Sequence, residues 1–156
     1  MICRGVKILF LFFATVSLLL IIELNACADS YPVVGRVHKI EGAATIAREG
    51  QAIQAKIGST LWQNDTLSTG SDGSIGLIFN DDSVLSLGPN SVLVIDDFIF
   101  APKQGRFSMV IRMLKGTAAY LSGLISKFSP ESVHFQTPSA SIGIRGTKFV
   151  VKVKER

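Results

Sequence analysis

The sequence predicts an all-β fold in which short consecutive strands form a two-layer sandwich or a flattened, solenoid-like arrangement. Clusters of turn-forming residues interrupt the middle of the chain at nearly regular intervals, as at residues 71–73 and 80–82. Between these turns apolar and polar residues alternate, which is typical of strands with one buried face. Helical periodicity is absent after Ile22, so we expect almost no helix in the folded domain.

The first 28 residues have the layout of a secretory signal peptide. Arg4 and Lys7 precede an apolar run over residues 8–22, which is shorter than the about 20 residues that a membrane span needs. The Ala-Cys-Ala motif that ends at Ala28 suits ordinary cleavage, whereas the overlapping Leu-Asn-Ala-Cys motif resembles a lipobox that would make Cys27 a lipidation site. We therefore expect an exported protein, periplasmic or otherwise secreted, with an outer-membrane lipoprotein as the alternative.

A short linker, residues 29–34, is expected before a single folded domain that spans residues 35–156. The domain begins with one strand and then a hairpin over residues 43–57, whose turn contains Gly50. The later strands are expected at residues 75–79, 84–87, 92–95, 98–100, 107–114, 117–121, 133–136, 139–144 and 147–153. Residues 124–128 fit either a strand or one helical turn. Asp96-Asp97 and Gly116 are expected to interrupt strands, because aspartate and glycine are poor strand formers.

Several residues occur in an order and spacing that resemble the FecR domain. They are Gly58, Leu61, Asp65, Thr69, Phe79, Asp82 and Ser83, followed far downstream by Arg145, Gly146, Thr147 and Phe149. The resemblance implies an extracytoplasmic all-β module, similar to the sensory part of regulators that carry a cytoplasmic anti-sigma segment and contact a TonB-dependent receptor. Neither an anti-sigma segment before the apolar run nor a further signalling subdomain after Val153 is apparent. A stand-alone domain and a fragment of a longer FecR-type protein both remain open.

The Arg145-Gly146-Thr147 motif has two interpretations. Gly146 permits a bulge or a tight turn and Thr147 can bond back to the backbone, which makes the motif mainly structural. Alternatively, Arg145 grips a carboxylate of a partner. The structural interpretation is favoured, because a glycine between strand-forming residues usually marks backbone geometry.

Charge and residue pattern argue against several classes of function. The net charge is +4, and the basic residues are scattered without interleaved aromatic residues, so we expect no nucleic-acid partner. His38 and His134 lie far apart, and Asp81-Asp82 and Asp96-Asp97 lack the spacing of calcium loops, so no metal or other cofactor is expected. No serine lies in a nucleophile motif, and we therefore predict a protein that is not an enzyme.

Two binding hypotheses remain. Trp62 is the only tryptophan, and an exposed indole would suit an envelope carbohydrate- or peptidoglycan-binding module. The favoured hypothesis is a protein-protein interaction in signal transduction, for which the edge formed by the last strand is a candidate surface. Lys148 and Lys152 interrupt the apolar residues around Val151, as in edges that are guarded against self-association. Such an edge is expected either to add an acidic, extended peptide or the edge of a longer FecR-type chain, or merely to keep the sheet soluble.

Overall fold

The computed structural model describes residues 32–144 and 148–154, so the predicted leader with Cys27 and the Arg145-Gly146-Thr147 motif lie outside the described residues. Most of the described residues are in strands. The strands are β1 (Val33–Glu41), β2 (Ala44–Arg48), β3 (Gln51–Gln54), β4 (Thr60–Trp62), β5 (Thr66–Thr69), β6 (Ser74–Phe79), β7 (Val84–Leu87), β8 (Val92–Ala101), β9 (Arg106–Leu121), β10 (Val133–Thr137), β11 (Ala140–Gly143) and β12 (Lys148–Val153). The helical elements are the single turn α1 (Ile125–Phe128) and 3₁₀ turns at Pro102–Gln104 and Pro130–Ser132. No helix in these residues is long and apolar enough to cross a bilayer.

The strands form one curled, mostly antiparallel sheet around β9, which is 16 residues long. The first part of β9 pairs with β8 on one side and, in parallel, with β10 on the other. Its last part pairs with β7 and β12. The path of neighbours is β3-β2-β5-β8-β9-β7-β6-β1-β4, with β11 added to β10. β9 thus belongs to both halves of the sheet, one of which contains β2, β3, β5, β8, β10 and β11, and the other β1, β4, β6, β7 and β12.

Gly116 lies in β9 where its partner changes from β8 to β7 and β12. Its φ is +95°, and a Cβ atom there would lie 2.2 Å from the Ser91 Oγ. The Thr117 amide donates a 3.0 Å hydrogen bond to the same Oγ. Only glycine combines this backbone conformation with this close approach at no steric cost. The expectation that Gly116 ends a strand is therefore wrong, because this glycine lets the strand continue from one half of the sheet into the other.

Side chains from both halves of the sheet meet in one core. The Phe79 ring of β6 stacks on the Phe98 ring of β8 with centroids 5.5 Å apart. The Tyr120 hydroxyl donates a 3.2 Å hydrogen bond to the Met109 sulfur within this core. Each fully buried aliphatic or aromatic side chain contributes about 1.5–3 kcal/mol relative to exposure, so the shared core is the main source of stability.

Other details differ from the sequence-based expectations. β8 continues through Asp96 and Asp97, where an interruption was expected, because a register shift in the β8-β9 pairing accommodates them. Both carboxylates find partners on β9: Ser108 Oγ donates to Asp97 at 2.6 Å, and Arg112 binds Asp96. Of the two alternatives for residues 124–128, the structure has the helical turn. The hairpin around Gly50 is confirmed as β2 and β3.

Candidate partner-binding edge

The described sheet has four edge strands, β3, β4, β11 and β12, each of which pairs with a single neighbour. The segment between β3 and β4 crosses from one half of the sheet to the other. It is fixed there by hydrogen bonds from the Ala55 amide to the Ala44 carbonyl (3.0 Å) and from the Gly58 amide to the Val37 carbonyl (2.8 Å). Backbone therefore covers the core on this side.

Side chains complete the closure at β4. The fully buried Asp65 carboxylate accepts two 2.8 Å hydrogen bonds from the Arg48 guanidinium and one of 2.8 Å from the Trp62 amide. Arg48 also donates to the Thr60 carbonyl at 3.0 Å. The Asp65 carboxylate raises the pKa of Arg48 above its ordinary value, mainly through these hydrogen bonds. The backbone of β4 is thus occupied by side chains of the same chain.

The side of the sheet with β11 and β12 is arranged differently. A cavity of about 770 Å³ lies between the two strands, and its apolar walls include Ile142 of β11 and Val151 and Val153 of β12. Pro138, in the turn before β11, and Lys154, just after β12, also contribute to its lining. In the described residues, β12 hydrogen-bonds only to β9, through a register that opposes Val151 to Ala118. The other side of β12 has no strand neighbour among the described residues.

Side chains of β12 alternate strictly between two environments. Phe149, Val151 and Val153 are half-buried and pack against the core. The intervening residues Lys148, Val150 and Lys152 are exposed, with Val150 at 64%. Phe149 contacts the rings of Tyr120 and Phe135, with centroids 5.4 and 5.3 Å away. Residues predicted to form the edge thus lie on one strand, with Val151 half-buried, Lys148 and Lys152 exposed, and Lys152 also bordering the groove.

The remaining motif residues in the described ranges build the fold and lie away from the groove lining. Leu61 and Phe79 are buried in the core. The Thr69 hydroxyl donates a 2.7 Å hydrogen bond to the Gly88 carbonyl and accepts a 2.9 Å bond from the Ser91 amide. These contacts fix the turn between β7 and β8.

The family motif includes Asp82, in the turn between β6 and β7, but the neighbouring Asp81 makes the side-chain hydrogen bonds in this turn. Asp82 is exposed, with φ of +63°. Asp81 is fully buried and accepts hydrogen bonds from the Ser83 hydroxyl at 2.6 Å and from the Ile125 amide at 3.3 Å. Two adjacent aspartates in a turn are equivalent in sequence, and only the direction of each side chain distinguishes them.

The groove itself was missed in the sequence analysis. Ile142, Leu114 and Val92 contribute to its lining from three separate strands. The parallel pairing of β10 with β9 brings the β10-β11 hairpin beside β12, and parallel pairing leaves no local sequence signal. No group of three or more histidine, cysteine, aspartate or glutamate side chains lies together in the part of the chain described.

These features define a β-sheet domain with one side closed by its own backbone and side chains and a groove beside an edge strand on the other. The family model described as FecR protein matches residues 65–156, more than half of the chain. The chain therefore belongs to the FecR protein family, a signalling and regulatory family. No curated protein and no solved structure matches the chain.

Proposed function

We propose that this protein is a non-catalytic, periplasmic interaction domain that captures a protein partner by strand addition at β12. Membership of the FecR family supports a signalling role and, because the domain faces outward from the cytoplasm in such regulators, an extracytoplasmic location. A cleaved leader over residues 1–28 agrees with that location, and lipidation of Cys27 is the alternative form of processing. The domain that remains includes β1 from Val33, so it begins two residues before the boundary expected at residue 35.

The observation that carries the proposal is the unpaired side of β12 next to an apolar groove. An edge strand presents unpaired amides and carbonyls, and an extended segment satisfies them by adding to the sheet. The groove supplies apolar contact area beside that backbone. The edge of β4 lacks this capacity, because Arg48 and Asp65 already occupy its backbone groups.

For the fold, we infer the two-layer sandwich and not the flattened solenoid. Phe79 and Phe98 stack across the core from opposite halves of the sheet, as facing layers require. Pairings such as β5 with β8 also skip elements of the chain, whereas solenoid repeats contact their sequential neighbours.

The alternative of a carbohydrate- or peptidoglycan-binding module gains no support from Trp62. The Arg48 guanidinium lies over the indole ring, 3.8 Å from its centroid, and so covers one face. Sugar recognition by tryptophan needs an open ring face, and Trp62 as a whole is only partly exposed.

A crosslinking experiment in the periplasm tests the proposal. A photo-reactive side chain is installed at Val150 in β12, and a control is installed at Ile57 in the closed side; these positions are 64% and 70% exposed. We expect a discrete protein adduct from position 150 and none from position 57. Equal adducts from both positions, or adducts only from position 57, would contradict the proposal.

Proline substitutions then test strand addition itself. Neighbouring amides of a strand point to opposite sides, so of Val150→Pro and Val151→Pro one removes a bond to β9 and the other removes an outward donor. The variant whose melting temperature is unchanged is the one that removes the outward donor. This variant should lose the crosslinked adduct, which is monitored from a photo-reactive side chain placed at position 152. Retention of the adduct in that variant would refute strand addition at β12.

A further inference from the structure

We propose that the groove beside β12 selects a partner segment in which apolar and acidic residues alternate. The inference rests on the proposed strand addition and specifies the chemistry of the partner. Side chains of an added strand lie beside those of the strand it joins, on the same two faces of the sheet. The alternation of β12 therefore imposes an alternation on its partner.

The inward-facing positions of the partner meet the groove. Its lining is mainly apolar, with Ile142, Val151 and Val153, and also includes the polar side chains of Thr137 and Ser139; its volume of about 770 Å³ is within the range that encloses drug-sized ligands. Several apolar side chains of an extended segment fit such a volume. Polar side chains at the positions that face Ile142, Val151 and Val153 would lose water without gaining hydrogen-bond partners from these three residues.

The outward-facing positions of the partner meet lysines. Lys148 and Lys152 are exposed on the same face of β12, and Lys154 follows at its end. No carboxylate in the described residues forms an ion pair with any of these three lysines. Acidic side chains across the strand pair would neutralise them, whereas basic side chains would be repelled.

The same charges disfavour a second copy of this chain as the occupant. Pairing of β12 with β12 of another copy would place lysines beside lysines on the outer face, and like charges on neighbouring strands are destabilising. The partner that fits the charges is a different, acidic segment.

The test uses the leaderless protein and three fluorescent peptides of the length of β12, in which valine alternates with glutamate, valine with lysine, or serine with glutamate. We expect only the valine/glutamate peptide to bind, in a saturable anisotropy titration whose affinity falls as salt increases. Lys152→Glu should lower the affinity for the valine/glutamate peptide at least about tenfold and raise the affinity for the valine/lysine peptide, because it reverses the charge opposite the partner. Lys103→Glu, an exposed control in the turn between β8 and β9, should leave both affinities unchanged.

Equal binding of the glutamate and lysine peptides, or no effect of Lys152→Glu, would overturn the charge selection. Binding of the serine/glutamate peptide as tightly as the valine/glutamate peptide would overturn the role of the groove. A crosslink from position 150 to a second copy of the protein would show self-association through β12. That result would overturn the proposal of a different, acidic partner. A crosslinked partner without the alternating pattern would refute this inference and leave the proposed strand addition standing.

Discussion

At the scale of single residues, buried charge controls the closed side of the domain. Asp65 is fully buried, and its carboxylate depends on Arg48 for two of its hydrogen bonds. Removing one partner of a buried ion pair leaves an uncompensated charge, which costs more than the pair contributes when intact. The exposed pair of Arg112 and Asp96 has the same chemistry without that burial, and it provides a matched control.

We predict that Arg48→Ala lowers the free energy of unfolding by about 2 kcal/mol. The predicted loss is smaller than the about 3–5 kcal/mol lost when one partner of a fully buried ion pair is removed, because the Arg48 side chain is still 20% exposed. Arg112→Ala should have a clearly smaller effect. Urea denaturation of both variants measures the difference. Equal losses would show that burial of Asp65 has no energetic consequence.

A second residue-scale prediction concerns Tyr120, whose pKa is raised to about 12, first by burial and then by the charge of Asp81. In the unfolded chain the tyrosine pKa is about 10. The folded state holds the proton more tightly, so this contribution is complete below about pH 10 and is lost as the pH rises through about 12.

The wild-type protein should therefore lose about 2 kcal/mol more than Tyr120→Phe between about pH 9 and pH 11.5. Denaturant unfolding at the two pH values, with both proteins in parallel, gives this difference directly. The comparison removes the contribution of the other titrating groups, since they are present in both proteins. Parallel pH profiles would contradict the assignment to Tyr120.

At the scale of elements, β9 determines the architecture, because it is shared between the two halves of the sheet. Its continuity depends on Gly116, where a Cβ atom would also lie 2.4 Å from the Ser91 Cα. Gly105, in the turn before β9, also has positive φ, +63°, but no atom lies within 4 Å of a Cβ placed there. A comparison of substitutions at the two glycines therefore separates the energetic cost of positive φ from the cost of steric contact.

We predict that Gly116→Ala lowers the free energy of unfolding by about 3 kcal/mol or more, since strained conformation and overpacking add. Gly105→Ala should cost only about 1 kcal/mol, from conformation alone. Melting monitored by circular dichroism measures both variants. A similar cost at the two positions would show that the approach of Ser91 is not tight in solution.

Local sequence signals account for the strands but not for their pairing. The β2-β3 hairpin and the β6-β7 turn follow from turn residues between apolar runs, and both are where the sequence predicts them. The continuation of β9 through Gly116 could not be predicted, because a glycine in a strand pattern fits either the end of a strand or a bend within it. Its role depends on Ser91, which is distant in sequence.

At the scale of the whole molecule, the candidate edge was predictable but the groove was not. The lysines of β12 mark an edge in the sequence, since a buried central strand would exclude Lys148 and Lys152. The groove requires β11 to lie opposite β12, and that arrangement arises from the parallel β9-β10 pairing. Long-range pairing of this kind depends on the global packing of both halves of the sheet.

The two sides of the sheet therefore have different roles in our account. The side with β4 is closed by Arg48, Asp65 and the crossing segment, and it stabilises the domain. The side with β11 and β12 carries the apolar groove and the exposed lysines, and it is the surface proposed to receive the partner.

Hydrogen exchange with and without the captured partner tests this division most directly. Backbone amides that become paired in an added strand exchange more slowly, so we expect partner-dependent protection within β12 of at least about tenfold. The amides of β3, an exposed edge strand at one end of the sheet path and distinct from β12, should exchange at unchanged rates. Protection of β3 with unchanged exchange in β12 would contradict the central claim that the partner pairs with β12.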